Sequence, residues 1–167
     1  MKKIILTLIA AFAMFASSHA QSKIAHVNLS ELMNAMPEMK DFEKKLKDYE
    51  TLLRNQLEEM QTELQKNYTA YMNDSVSPPA IMEIKKKKLE DLQANIQQFT
   101  QTAEQDMQKK REELYMPIYK KAKNAINEVA KAKGFDYVLD SSEGLGVLVV
   151  NAANDLMNDV KKKLGIN

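Results

Sequence analysis

Along residues 38–72 apolar side chains recur every three or four positions, at Met39, Phe42, Leu46, Tyr49, Leu53, Leu57, Met60, Leu64, Tyr68 and Tyr71. That spacing lines one face of an α-helix. The early steps alternate three and four, as in a heptad seam, but from Tyr49 an eleven-residue repeat runs through Met60 to Tyr71, and its period near 3.67 relaxes left-handed supercoiling. A second stripe carries Ile81, Ile84, Leu89, Leu92, Ile96, Phe99, Ala103, Met107, Leu114 and Ile118, then continues through Ala122, Ile126 and Val129 to Gly134. No glycine lies between Pro37 and Lys133, and clustered breakers occur only at Pro78 and Pro79. The pattern predicts two long helices folded back at a tip near 73–79. At about 1.5 Å per residue each is roughly 55 to 80 Å long, too long to be enclosed by a compact body of this mass.

Local signals place the ends of these helices. Asn28-Leu-Ser-Glu31 has capping-box spacing, Pro37 suits the first position of a renewed helix, and Ser77 is expected to cap the returning helix with Pro78 in its first turn. Folding at Val76 sets Lys85–Lys88 near Glu63, and Lys109, Lys110 and Arg111 near Asp41 and Glu43, an antiparallel register. Pro117 removes a helix donor and is expected to kink the second helix where arm becomes body.

Strand-like pieces flank the arms. Ile24-Ala-His-Val27 comes before them; after Gly134, Phe135-Asp-Tyr-Val-Leu139 and Val147-Leu-Val-Val150 read as a hairpin about a polar, glycine-containing turn, followed by an amphipathic helix with Leu156, Val160 and Leu164. So few strands cannot bury a core alone, which predicts self-association through Ile24, Val27, Val138, Val147 and Val149. The fold class is therefore mainly α with a small β body: a long antiparallel helical hairpin, 37–117, projecting from a short-stranded oligomerisation domain made of 21–36 and 118–167.

Residues 1–20 read as a leader. Lys2 and Lys3 precede an apolar run from Ile4 to Ala16, and Ser18-His19-Ala20 offers small residues for cleavage before Gln21. Without Lys2 and Lys3 the 24 basic residues fall to 22 against 23 acidic ones, a formal charge of −1. That balance argues against a nucleic-acid binder. With no cysteine, disulfides, thiol catalysis and thiolate metal sites are excluded.

Candidate chemistry is sparse. Beyond the leader His26 is the only histidine, in a strand without acidic or nucleophilic neighbours, and the adjacent pairs Glu58-Glu59 and Glu112-Glu113 point apart on a helix. Neither a glycine-rich phosphate loop nor a nucleophile elbow occurs. No enzymatic activity and no cofactor or metal are expected. What remains is adaptable apolar surface: Tyr68, Met72, Val76, Ile81 and Met82 near the tip are hard to bury between helices that are turning apart, and methionine repacks against varied partners. Beside them Lys85, Lys86, Lys87 and Lys88 form a solubilising collar or a weak lure for acidic chains or anionic lipid.

In their order, Lys23-Ile-Ala-His-Val-Asn28, the charged hairpin, Ala132-Lys-Gly-Phe-Asp-Tyr-Val-Leu-Asp140, Val147-Leu-Val-Val150 and Asn154-Asp-Leu resemble the Skp-type (OmpH-like) periplasmic chaperones over essentially the whole chain after the leader. The resemblance implies a homotrimer with a small β body and arms around a cavity. It also implies a periplasmic holdase that keeps unfolded outer-membrane β-barrel proteins from aggregating without nucleotide. Where the family often has Thr, Met157 stands here, so the last helix is expected to be capped by Asn154 or Asp155. A scaffold whose arms zip with one helical partner is the alternative, but the seam is broken by Lys, Gln and Asn and changes period.

Overall fold

The computed structural model describes residues 22–166; the leader and its cleavage before Gln21 lie outside them. In chain order the elements are β1 (Ile24–Val27), α1 (Leu29–Ala35), α2 (Pro37–Met72), α3 (Pro79–Lys133), β2 (Tyr137–Asp140), a 3-10 turn (Ala152–Asn154) and α4 (Met157–Leu164). The described residues form two compact units, one of 22–29 with Ala125–Gly165, the other of Ser30–Asn124.

In the first unit the two strands are parallel, pairing Ile24 with Tyr137, Ala25 with Val138, His26 with Leu139 and Val27 with Asp140. This corrects the expected hairpin: 147–150 forms no strand, and β2 pairs with the far end of the chain instead. The β-branched run signals only a side-chain preference for a pleated, half-buried surface, and within one chain it finds no partner strand. Gly144, at φ 85°, turns the chain in a way that L side chains resist. On its other side β1 makes a single parallel bridge, His26 to Asp155.

α3 ends where expected. Gly134, at φ 72°, donates to Lys131 O at 3.1 Å, and Phe135 N–H reaches Ala130 O at 3.0 Å, the paired bonds of a Schellman stop. The unit's core comprises Ala25, Val27, Ala125, Val129, Ala130, Leu156, Met157 and Val160. Neither expected cap holds the N-cap position of α4: Leu156 stands there without a side-chain bond, and Asp155, one residue earlier, accepts from Met157 N–H at 2.8 Å. Asp140 binds the other end of β1's loop: its Oδ1 accepts from Leu29 N–H (3.2 Å), Ser142 N–H (2.9 Å) and Ser142 O–H (2.6 Å). Burial pushes that carboxyl up, but the bonds from Ser142 and Leu29 outweigh it and hold it below its ordinary value.

The second unit is the hairpin. Its buried side chains, Leu32, Met33, Met36, Ile118 and Ala122, belong to the base; toward the tip only Leu89 is buried. Phe42 meets Tyr115 edge-on at 6.1 Å, Tyr115 stacks on Tyr119 at 6.2 Å, and Lys110 lies over the Tyr49 ring at 5.7 Å. Lys121 pairs with Glu38, whose carboxyl that contact holds below the usual range. Lys88 pairs with Glu63 as the register predicts, but Lys110 turns to Glu113 and Tyr49 rather than to Asp41 or Glu43. The Phe42–Tyr115 pair is centred between Pro78 and Pro79, not at Val76. Side chains on both helices lean toward their own N-termini, so each residue in a cross-contact sits C-terminal to the level of the contact.

Candidate functional site

The tip is built on Asp74. Its carboxylate accepts from Val76 N–H (3.2 Å), Ser77 N–H (2.9 Å) and Ser77 O–H (2.6 Å) and pairs with Lys85 of α3. The Lys85 bond, followed by those from Ser77, holds the carboxyl far below the ordinary aspartate value. Ser77 therefore does not cap α3, as the sequence suggested. Its hydroxyl is turned back to Asp74, and the helix starts one residue later, at Pro79, with Ile81 and Met82 N–H both reaching Pro78 O. Pro79 keeps the residue before it out of the α region, so Pro78 cannot be the first helical residue.

Asp74 and Lys85 also decide which apolar residues face outward. On α2 the half-buried seam runs through Leu64, Asn67 and Tyr71, leaving Tyr68 off it at 49% exposure. On α3 it runs through Met82, Lys85 and Leu89, leaving Ile81 and Ile84 exposed. Reading Ile81 and Ile84 as seam residues is thus corrected: the Asp74 contact draws Lys85 to the inner face, and at about 100° per residue Ile84 rotates outward. Met72 and Val76 are exposed, Val76 at 90%; Met82 alone of the predicted tip set is half-buried.

These side chains occupy both faces of the hairpin. Tyr68 and Met72 flank the α2 seam on one side. Ile81 and Ile84 lie on the α3 side that carries Lys88, and the Lys88–Glu63 pair fixes that side as the one shared with Glu63 and Leu52. Leu52 and Ile84, exposed at 62% and 65%, were not among the candidate residues. A helical wheel anchored on Leu89 would have found Ile84.

The lysine collar is largely spoken for. Lys85 pairs with Asp74, Lys86 lies 3.9 Å from Glu90 and Lys88 3.7 Å from Glu63; of the four, Lys87 alone has no ion pair among the described residues. Among those residues no group of three His, Asp or Glu could hold a metal ion.

Of the residues expected at an oligomer interface, Val27 is buried in its own chain, Val138 and Val147 are half-buried, and Ile24 and Val149 are exposed. The exposed set also includes Tyr137, Leu139, Leu145, Leu148 and Val150, none of which the sequence singled out.

Long paired helices with apolar residues left outside their own seam define a helical-hairpin protein. The sequence model for "Outer membrane protein (OmpH-like)" matches residues 23–164, and the chain belongs to that family. It is 29% identical over 152 residues, 89% of each chain, to "Chaperone protein Skp" of Pectobacterium atrosepticum, and 27% identical to the protein of that name from Yersinia enterocolitica, across 98% of this chain and 99% of the other. A solved putative outer membrane chaperone (OmpH-like) from Caulobacter crescentus shares the fold at TM-score 0.74 with 16% identity, over 87% of this chain and 85% of that one. The family is one of chaperones, not of enzymes.

Proposed function

We propose that the chain is an ATP-independent holdase of the periplasm, exported by cleavage before Gln21, which binds unfolded outer-membrane β-barrel proteins between arms spanning 37–117 and prevents their aggregation. The observation that carries this reading is the arm surface: Tyr68, Met72, Val76, Ile81 and Ile84 are exposed near one tip, on two faces and without a continuous seam. Such a surface suits many weak contacts with irregular apolar chain better than one helical partner in fixed register. Binding the unfolded state lowers its free concentration by mass action and needs no fuel.

Self-association as a homotrimer through Ile24, Val138, Val147 and Val149 belongs to the same proposal, because the strand unit leaves Ile24, Val149 and neighbouring apolar side chains exposed and Val138 and Val147 only half-buried. Lys87, outside the ion pairs, is the residue for a weak contact with acidic chains or anionic lipid. The test is to dilute a urea-unfolded β-barrel membrane protein into the purified chain while measuring the mass of both. A soluble complex of defined stoichiometry is expected. Aggregation at the rate seen without the chain would overturn the proposal.

A further inference from the structure

The strand unit contains an apolar loop whose large side chains are mostly left exposed by the described residues. Between Ser142 and Asn151 the chain exposes Leu145, Leu148, Val149 and Val150, with Leu148 at 94%. Eight residues of such composition would ordinarily collapse or wander, yet both ends are tied to one buried side chain. His26 Nε2 lies 3.0 Å from Asn151 O, and Ser141 Oγ lies 3.3 Å from His26 Nδ1. A carbonyl can only accept, so Nε2 carries a proton and donates to Asn151; in the neutral ring Nδ1 is then the acceptor for the Ser141 hydroxyl. His26 is 8% exposed, and its backbone carbonyl receives Leu156 N–H at 3.0 Å beyond the loop. Ser141 N–H meanwhile donates to Val27 O, and Asn154 Nδ2–H to Ile24 O, so β1 holds the loop's flanks as well.

We infer that His26 is a positioning residue: in its Nε2–H form it closes the 142–151 loop and presents Leu145, Leu148 and Val149 as a fixed apolar surface for a second copy of this chain. A second copy is the fitting occupant because the loop is rich in strand-forming residues and, among the described residues, β2 has a neighbour on one side only. The inference rests on the self-association proposed above. It assigns the histidine a purpose that apolar packing does not require, since a buried aliphatic residue would fill the same position in β1 without closing the loop.

The experiment separates the two claims by measuring loop order in a Val149→Asp background, where docking between copies is removed. There, His26→Phe keeps a flat ring and deletes both polar contacts. Amide exchange over 142–151 should rise about tenfold, the loss expected from one or two modest hydrogen bonds, with the β1–β2 amides unchanged. His26→Gln, which can again donate to Asn151 O, should restore most of the protection, and ring nitrogen shifts of the unsubstituted histidine should report the Nε2–H tautomer alone. If His26→Phe loosens the whole unit, Ser141→Ala decides, because it removes only the Nδ1 partner and should raise exchange at 142–144. Unchanged loop exchange in both variants, or a mixture of tautomers, would overturn the assignment. Retention of the wild-type mass by Val149→Asp would instead sink the self-association reading and leave the loop measurement standing.

Discussion

Asp74 and Lys85 stand eleven residues apart and meet across the turn that joins the two arm helices. One carboxylate thereby gathers two backbone amides, one hydroxyl and one ammonium, fixing the turn and the rotation of the first turns of α3 together. Replacing Asp74 by Asn keeps the shape and removes the charge. Exchange of the amides at 75–85 should rise, while that of α2 below Leu57 stays unchanged; an unaltered tip would contradict the staple.

The same group sets a pH expectation. Glu38, Asp74, Glu128 and Asp140 all titrate below their ordinary values, Glu128 through its 2.6 Å contact with Lys163. A carboxylate with a depressed folded-state pKa contributes stability above its unfolded value, 3.8 for Asp and 4.5 for Glu, and loses it as pH falls through the depressed one. As far as these four groups determine it, chemical-denaturation midpoints should be level from about pH 5 to 8 and fall progressively below about pH 5. A midpoint that drops between pH 8 and 6 would point to a different group.

Lys85 and Lys87 should behave differently although they are neighbours in one run. Lys87→Gln should slow capture of an acidic unfolded client and weaken its salt dependence, with little change in dissociation. Lys85→Gln should loosen the tip and leave the capture rate nearly unaltered. Stopped-flow capture at two salt concentrations distinguishes them, and equal kinetics for both would refute the distinction.

Pro117 sits exposed inside α3, where Glu113 loses the amide donor that a helix would give it. Pro117→Ala should stabilise the arm by up to about 3 kcal/mol, the usual cost of a helix-interior proline. Thermal unfolding measures it. A lower Tm would mean that the surrounding helix is already shaped to the ring.

Client contacts should come from both faces of the hairpin. Photo-crosslinkers at Met72 and at Ile84, which flank the seam on opposite sides, should each capture an unfolded β-barrel protein. Combined replacement of Tyr68, Met72, Val76, Ile81 and Ile84 by Ser should weaken holding, whereas each single replacement leaves it within a few-fold. Crosslinking from one face only would mark a one-sided site.

The arms were legible in the sequence because their periodicity is long and no glycine interrupts it; the starts at Leu29 and Pro37 and the stop at Gly134 followed from local chemistry. What escaped depends on partners remote in sequence. Val147–Val150 has strand composition, but composition does not say whether another strand is present, and here the partner of β2 is β1. Ile84 has the spacing of a seam residue, but one ion pair, Asp74 to Lys85, decides the rotation of the helix that carries it. Val27 read as an interface residue because an isolated strand shows no core; Leu156 and Val160, which are buried in the same unit, come from the other end of the chain.

The parallel pairing of β1 with β2 has a consequence for the order in which the molecule is made. Lys23 and Asp136 bond to each other across 113 positions, at 2.8 Å. A chain synthesised from its N-terminus must therefore leave β1 without its strand partner until most of the rest has emerged, while the hairpin, whose contacts are closer along the chain, can form first. The strand unit is the last part to assemble, so a truncated or stalled chain has arms but no completed strand unit.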